Sequence, residues 1–493
     1  LEASERFPAA PYRFDRTRSG LALTPELRRF YWRTVVHTEA SDVEPPPHGF
    51  GRDGGRALVQ WLSEPIAPDH AVSRHVLATW EVRSDLQHTF PDLGGRDAAE
   101  LAHWARVDEE FLAGTPAELV PRPARRLPGV NLVGYLHGEF GVGAAARLLG
   151  SAVRASGLPM STTVIRPAAH RHQAEFVRAL VGSRFSLSLL AVNADALLRL
   201  ADRGQLAEHE SVPKVGIWYW EAGALPDDLR RAFDIVDEVW CASTHVRDLL
   251  VAAEPDVEVR VHPLTFGLPS PTALDRADVS VPDDRFVFGV SFDYSSVPRR
   301  KNPLGAMDAY KQAFGPDDGA ALVVKAVHAD QHGRDAARVS EAAEGRPDIR
   351  LVNRHFSQVE MDAFFQHLDA FVSLHRSEGL GLNLASAMAA GVPVVATGWS
   401  GNLEFMTRDD AHLVPFDLVE VGPDAAPYDP KGVWAEPDVE GAAAQLRALF
   451  DDPEGATSLG ERGRAAIERR ADRQEAGEWY VDRFEALTGT AIR

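Results

Sequence analysis

Cysteine is all but missing. Cys241 is the single one in 493 residues, which excludes an intramolecular disulfide framework and any cysteine-cluster metal site. A reducing, cytoplasmic setting is the expectation. No apolar run approaches the ~20 residues needed to span a bilayer, and the amino terminus has no basic segment leading into an apolar one. The expected protein is soluble, or at most peripheral to a membrane. Basic charge is also short. Lys and Arg total 52 against 72 Asp and Glu, giving a formal net charge of −20, which argues against a chain that wraps nucleic acid or coats anionic lipid. A local basic pocket is still compatible with that balance. The chain opens LEASERF without a methionine, so Leu1 and Glu2 are left out of the fold argument as an added or processed end.

Length alone suggests roughly three domains, and the pattern along the chain agrees. Residues 1 to 128 carry apolar residues at helical spacing, as in TPELRRFYWRTVV and RDAAELAHWARVDEEFL, between punctuation such as PPPHGFGRDGG. They predict a mostly helical module that ends in the proline- and arginine-rich linker PAELVPRPARRLPG. From residue 129 to 270, short apolar strands (VNLVGYL, MSTTVI, SLSLLAV, KVGIWYW, EVWCAS, VEVRVH) alternate with amphipathic helices. A second alternating set fills 271 to 470, with RFVFGVSF, ALVVKAV, IRLVNRHF, AFVSLH, VPVVATG and HLVPF as strands. The expected fold class is therefore α/β, two doubly wound parallel sheets whose strand ends face a shared cleft, plus the helical module.

Four stretches could carry chemistry. In YLHGEFGVGAAARLLG, Gly138, Gly141 and Gly143 lie between a strand end and a helix start, where free N–H groups favour an anion; the bland alternative is a tight turn. In KVGIWYWEAGALPDD, Trp218 reads as core, whereas Glu221 sits at a strand's carboxyl end and can accept sugar hydroxyls. In SFDYSSVPRRKNP, the adjacent cations Arg299, Arg300 and Lys301 stand at a helix start. There they oppose the helix dipole unless a phosphate joins them. Finally, SEGLGLNLASAMAAG puts Glu378 in a glycine loop that feeds an alanine-rich helix, with Asn383 as its N-cap. No Gly-Lys-Ser/Thr follows the first glycine loop, no Asp-x-Asp triplet is present, and GWSGN lacks the spacing of a nucleophile elbow. His170 and His172 read as a surface pair and not as metal ligands.

These stretches, from about residue 130 to 490, resemble the retaining glycosyltransferases of family 4, which have the GT-B fold of two facing Rossmann-like domains. SEGLGLNLASAMAAGVPVVATGWSGNLEF is similar to that family's glutamate–glycine signature, YLHGEFGVGAAAR looks like its first glycine loop, and RRKNP looks like its diphosphate clamp. DEVWCASTHV and the closing helix GEWYVDRFEAL also resemble family segments, the latter a helix over residues 471 to 493 that crosses back to the first Rossmann-like domain.

The resemblance implies a metal-independent enzyme of the hexosyltransferase type. It would move a sugar from a UDP- or GDP-linked donor, with retention, to a glycan, glycolipid or small-molecule acceptor. Glu378 would bind donor-sugar hydroxyls, Arg300 and Lys301 would neutralise the leaving diphosphate, and Glu221 would stand with them as catalytic. Gly379, Leu380, Gly381, Leu382, Asn383, Lys325 and the loop Gly141, Val142 and Gly143 would hold the donor, with no cofactor and no metal.

The chain departs from the family pattern at three places. The second acid falls on Ser386, a customary histidine is replaced by Trp220 or Glu221, and an arginine ahead of the clamp lysine becomes Phe292 or Asp293. Two alternatives stay open, a nucleotide-sugar epimerase of the same fold and a non-catalytic scaffold. The helical module is a candidate for acceptor recognition or homo-oligomerisation, with simple capping as the bland reading.

Overall fold

The structure is a computed structural model. It is described for residues 54–66, 70–95, 97–108, 126–166, 185–206, 209–253, 255–470 and 473–492, with isolated positions such as Leu27 and Phe111. His170 and His172 lie outside the described residues. The chain divides into two compact units, residues 1–127 with 179–184, and residues 128–178 with 185–493.

The described helices of the first unit are α1 (Gly54–Ser63), α2 (Arg74–Trp80), α3 (Ser84–Thr89) and α4 (Asp97–Val107), and the unit also holds the two-residue strand Leu180–Val181. Ser73 caps α2 through the Val76 N–H, satisfying one of the free donors of its first turn. Val72, Val76, Leu86, Leu101 and Phe111 form one apolar cluster, and Leu27, Phe30, Leu58 and Leu62 another.

In the second unit, runs of β-branched and aromatic residues become parallel strands: β1 (Leu127–Gly134), β2 (Met160–Val164), β3 (Phe185–Ala191), β4 (Lys214–Ile217), β5 (Glu238–Cys241) and β6 (Glu258–Val261). They are ordered β2-β1-β3-β4-β5-β6. The second sheet is β7 (Phe286–Asp293), β8 (Ala320–Val327), β9 (Ile349–Asn353), β10 (Ala370–Ser373), β11 (Val394–Thr397) and β12 (His412–Val414), ordered β9-β8-β7-β10-β11-β12. Every residue of β8 is buried, as an inner parallel strand covered on both faces requires. In both sheets the order reverses beside the first strand, and ligands of such sheets bind outside the carboxyl ends at that switch point. Because β10 pairs directly with β7, the turn leaving β7 and the glycine loop leaving β10 emerge side by side.

One element departs from the sequence reading. HLVPF is not a single strand: β12 ends at Val414, and Phe416–Glu420 (β13) starts an antiparallel hairpin with Val433–Pro437 (β14). Pro415 separates the two, having no N–H to continue a ladder. At the chain's end, α13 (Arg473–Thr488) packs on the helix Gly141–Ala155 (α5), and its Arg483 reaches Glu238 at 2.6 Å while the Tyr480 hydroxyl donates to the Pro263 carbonyl. Among the described residues, no helix is long and apolar enough to cross a membrane.

Candidate functional site

The basic turn is shorter and more constrained than its sequence suggests. Pro298–Lys301 (α8) is one helical turn, and a second helix, Pro303–Ala313 (α9), begins after Asn302. Val297 at φ +57° and Asn302 at φ +50° bracket it. A β-branched residue at positive φ is strained, and such strain concentrates at functional sites. The three cations therefore end a short turn and do not open a long helix, because left-handed Asn302 breaks the chain there and its side chain accepts from the Gly305 N–H to cap α9. They also part company. Arg299 lies over the Trp434 ring at 5.3 Å, so it is a packing residue and not part of the charge cluster.

Arg300 and Lys301 meet Glu378. Lys301 Nζ is 2.6 Å from Glu378 Oε1, and Arg300 Nη1 is 3.3 Å from Oε2 and donates to the Ser377 carbonyl at 2.9 Å. Arg300 is 3% exposed, yet its Nε–H has no partner among the described residues, a costly arrangement that an acceptor entering the site would relieve. Burial raises the Glu378 carboxyl, but Lys301 and Arg300 outweigh it and bring it down to about 2. From the first sheet, Glu221 Oε1 approaches Arg300 Nη2 at 3.5 Å, and the Glu221 Oε2 accepts from the Tyr428 hydroxyl at 2.7 Å.

The loop after β10 is held from both sides. The helix Leu382–Ala389 (α10) is capped by Gly381 at φ +93° and not by Asn383, which lies inside the helix and donates to the Ser291 carbonyl at 3.0 Å. Glycine takes the left-handed cap conformation without the penalty a side chain brings. Ser400, itself at φ +81°, accepts from the Glu378 N–H at 2.9 Å. A Cβ at Gly401 would meet the Gly379 carbonyl oxygen at 2.2 Å, so the loop can settle only on a glycine. Burial lowers the His375 imidazole from its ordinary range; its Nε2 faces the Asn402 side-chain oxygen at 3.1 Å and its Nδ1 the Ser373 hydroxyl at 3.0 Å. Across the cleft, Ser243 donates to the Gly379 carbonyl at 2.6 Å, and His245 and Ser377 both donate to the Glu221 carbonyl. Leu380 lines a separate cavity of about 530 Å³ with Leu264, Phe266, Phe405 and Trp479, which none of the four site charges reaches.

The remaining candidates spread out. Gly141 opens α5 with nothing within 4 Å of where a Cβ would stand, and Val142 follows it. Gly143 has a packing reason, since its Cβ would meet the Gly138 carbonyl oxygen at 2.5 Å. Arg147 holds the same loop by donating to that carbonyl at 2.7 Å. Lys325 is 7% exposed, lies 5.2 Å from the Phe356 ring centroid, and is pushed down to about 8 by burial. Its ammonium makes no hydrogen bond or ion pair among the described residues; Asp293 and Glu360 are the acids nearest in effect, followed by Glu139 of the first glycine loop. Ser386 and Leu382 are half-buried on α10. Trp218 is core, 4.9 Å from the Phe233 ring. Sequence reasoning missed His245, His375, Ser377, Ser400, Asn402 and Tyr428. Only the positive-φ demand at Gly381 and the tight GWSGN turn hinted at the support beneath the loop.

Two doubly wound sheets and a returning last helix are the GT-B arrangement. Residues 318–425 match the sequence profile of the family described as glycosyl transferases group 1, and the enzyme class is that of a glycosyltransferase. Alr3699/HepE of Anabaena, solved with UDP and glucose, is similar in structure, with 14% identity, a TM-score of 0.53, and cover of 73% of this chain and 100% of that one. Sucrose-phosphate synthase of Thermosynechococcus elongatus is similar too, at 14% identity and TM-score 0.52, covering 73% and 99%. A glycosyltransferase of Rickettsia africae matches at 11% identity and TM-score 0.51, covering 73% and 98%. At such identities the likeness is one of fold. No curated protein sequence matches the chain.

Proposed function

We propose that the chain transfers a sugar, with retention, from a UDP- or GDP-linked donor to a glycan, glycolipid or small-molecule acceptor in the cytoplasm, in the manner of glycosyltransferase family 4. The observation that carries this reading is Arg300: a guanidinium almost wholly buried, with an unsatisfied Nε–H, in a strained turn beside Lys301 and the Glu378 loop. A leaving diphosphate develops charge as the glycosidic bond breaks, and preorganised cations in a site shielded from water stabilise that charge. Arg300 and Lys301 supply it here, so no metal is required. Glu378 receives donor-sugar hydroxyls, the backbone of Gly379 to Leu382 lines the sugar and phosphates, and Glu221 faces the acceptor side. Lys325, Asn383, Ser386 and the Gly141–Gly143 loop complete the donor site. That HepE was solved with UDP and glucose supports a UDP donor. The helices of the first unit are the candidate surface for homo-oligomer contact.

The test is a panel of UDP- and GDP-sugars read as thermal stabilisation, because a ligand that binds only the folded state raises its apparent stability. Donors that stabilise the protein are then assayed for transfer with chelator present, and the product anomer is read by NMR. Stabilisation by a nucleotide sugar and a retained anomer are expected. An inverted product would overturn retention, loss of turnover with chelator would overturn metal independence, and binding without transfer or donor hydrolysis would favour the scaffold reading.

A further inference from the structure

The hairpin β13–β14 touches both halves of the charge cluster. At its base, Arg376 pairs with Glu436 through two contacts of 2.7 Å and donates to the Arg299 carbonyl, while its N–H donates to the Arg300 carbonyl at 2.7 Å. This fixes the turn that carries Arg300. At its tip, the loop VGPDAAPYDPKG buries Val421, Ala425 and Tyr428 in the apolar cluster of the first sheet, with the Tyr428 and Trp220 rings edge to face at 5.4 Å. The approach is backbone to backbone: a Cβ on Gly432 would meet Gly223 Cα at 2.5 Å. The hairpin thereby delivers the Tyr428 hydroxyl to Glu221.

The cluster is self-neutralised. Arg300 and Lys301 carry two positive charges, and Glu221 and Glu378 two negative ones. A diphosphate brings further negative charge to cations already paired, so one carboxylate has to give way. Glu378 is held by Lys301 at 2.6 Å and by Arg300, and its own N–H is fixed by Ser400. Glu221 has the longer contact, 3.5 Å, and a second partner in Tyr428.

We propose that Glu221 and Tyr428 form a cross-cleft latch, in which Glu221 occupies Arg300 in the free protein and the donor's diphosphate displaces it onto Tyr428 alone. Tyr428 is a positioning residue, acting through the carboxylate it receives. The latch couples donor arrival to the movement of an acceptor-side carboxylate, and it rests on the reading of Arg300 as a diphosphate ligand.

Calorimetric titration of UDP and of GDP into wild type, Glu221→Gln, Tyr428→Phe, the double variant and Arg300→Ala tests it, with circular dichroism to confirm folding. Glu221→Gln should tighten the nucleotide that binds by about tenfold while lowering kcat. Tyr428→Phe should weaken it severalfold, because the displaced carboxylate loses its destination, and that weakening should vanish in the double variant. A Glu221→Gln protein with unchanged or weaker nucleotide binding overturns the latch, as does a Tyr428→Phe effect of equal size in the Glu221→Gln background. If Arg300→Ala weakens binding but Glu221→Gln does not tighten it, the latch alone falls. If neither nucleotide binds wild type, or Arg300→Ala changes nothing, the donor reading falls and the latch with it.

Discussion

Removing the Lys301 side chain separates a structural from a catalytic role for the cationic turn. Its ammonium lies 2.6 Å from Glu378 Oε1, with side-chain exposures of 19% and 12%. At an effective dielectric of about 20, that separation gives roughly 6 kcal/mol of gross Coulomb attraction. Desolvation of both groups offsets part of this, and breaking a buried pair by deleting one partner costs about 3–5 kcal/mol. Glu378 keeps Arg300 at 3.3 Å, so Lys301→Ala belongs at the low end, about 3 kcal/mol of stability. A second loss is independent of the first. A cation aimed at the leaving diphosphate acts on the transition state, and deleting one such donor lowers kcat by about 10²–10³. Release of nucleoside diphosphate at saturating donor measures kcat, and denaturant titration measures stability. Lys301→Ala/Glu378→Gln removes the pair together, so it should lose less stability than the single changes predict, while kcat stays low. A Lys301→Ala enzyme that is less stable but turns over at the wild-type rate would refute the catalytic role and leave Lys301 as the structural partner of Glu378.

Glu378 titrates from an ordinary 4.5 down to about 2, a depression worth about 3 kcal/mol at 1.36 kcal/mol per unit. Because the folded value is the lower one, this stability is present above about pH 4.5 and is lost as pH falls toward 2; Glu378→Gln should flatten the acid limb of a stability–pH curve. Lys325 runs the other way: lowered from 10.5 to about 8 by burial, it penalises the charged form, and stability rises with pH between those values. Lys325→Met should therefore stabilise the protein by about 3 kcal/mol while weakening UDP or GDP binding, and a stabilised variant with unchanged binding would remove Lys325 from the donor site. Ser386→Glu should alter nucleotide affinity if the ribose lies over α10; equal affinity for every nucleotide tested would place the ribose elsewhere. Gly401→Ala forces a Cβ to within 2.2 Å of the Gly379 carbonyl oxygen and should cost several kcal/mol or donor affinity, readable by denaturant titration and by binding.

The fold was legible because its signals are local. Apolar runs such as ALVVKAV and AFVSLH announce buried parallel strands within a few residues, and glycine or proline marks where each ends. The pairing of Glu378 with Arg300 was also within reach, since the sheet order puts the loops after β7 and β10 side by side. Arg299 was misplaced because three adjacent cations look alike in sequence, and only Trp434, far along the chain, decides which of them turns away. Asn383 was misread for a similar reason: an asparagine near a helix start favours a cap, but Gly381 already takes the left-handed position, freeing Asn383 to reach Ser291.

The contact of Glu221 with Tyr428 was not legible at all. It spans 207 residues and depends on a hairpin whose proline-rich loop has no helical or strand period. That loop follows the last strand of a sheet already complete, where a fold of this class tolerates insertion without strain on its core. Its burial against the first sheet means that it is a structured part of the site, since a mobile tip would not place three buried apolar residues. On the proposed reading, the parts of the site that follow from the fold, Arg300, Lys301 and Glu378, serve what any donor diphosphate requires. The part delivered by the hairpin, Tyr428 against Glu221, would then set when Arg300 is free to meet it, and two chains of this fold with the same cationic turn would come to differ there.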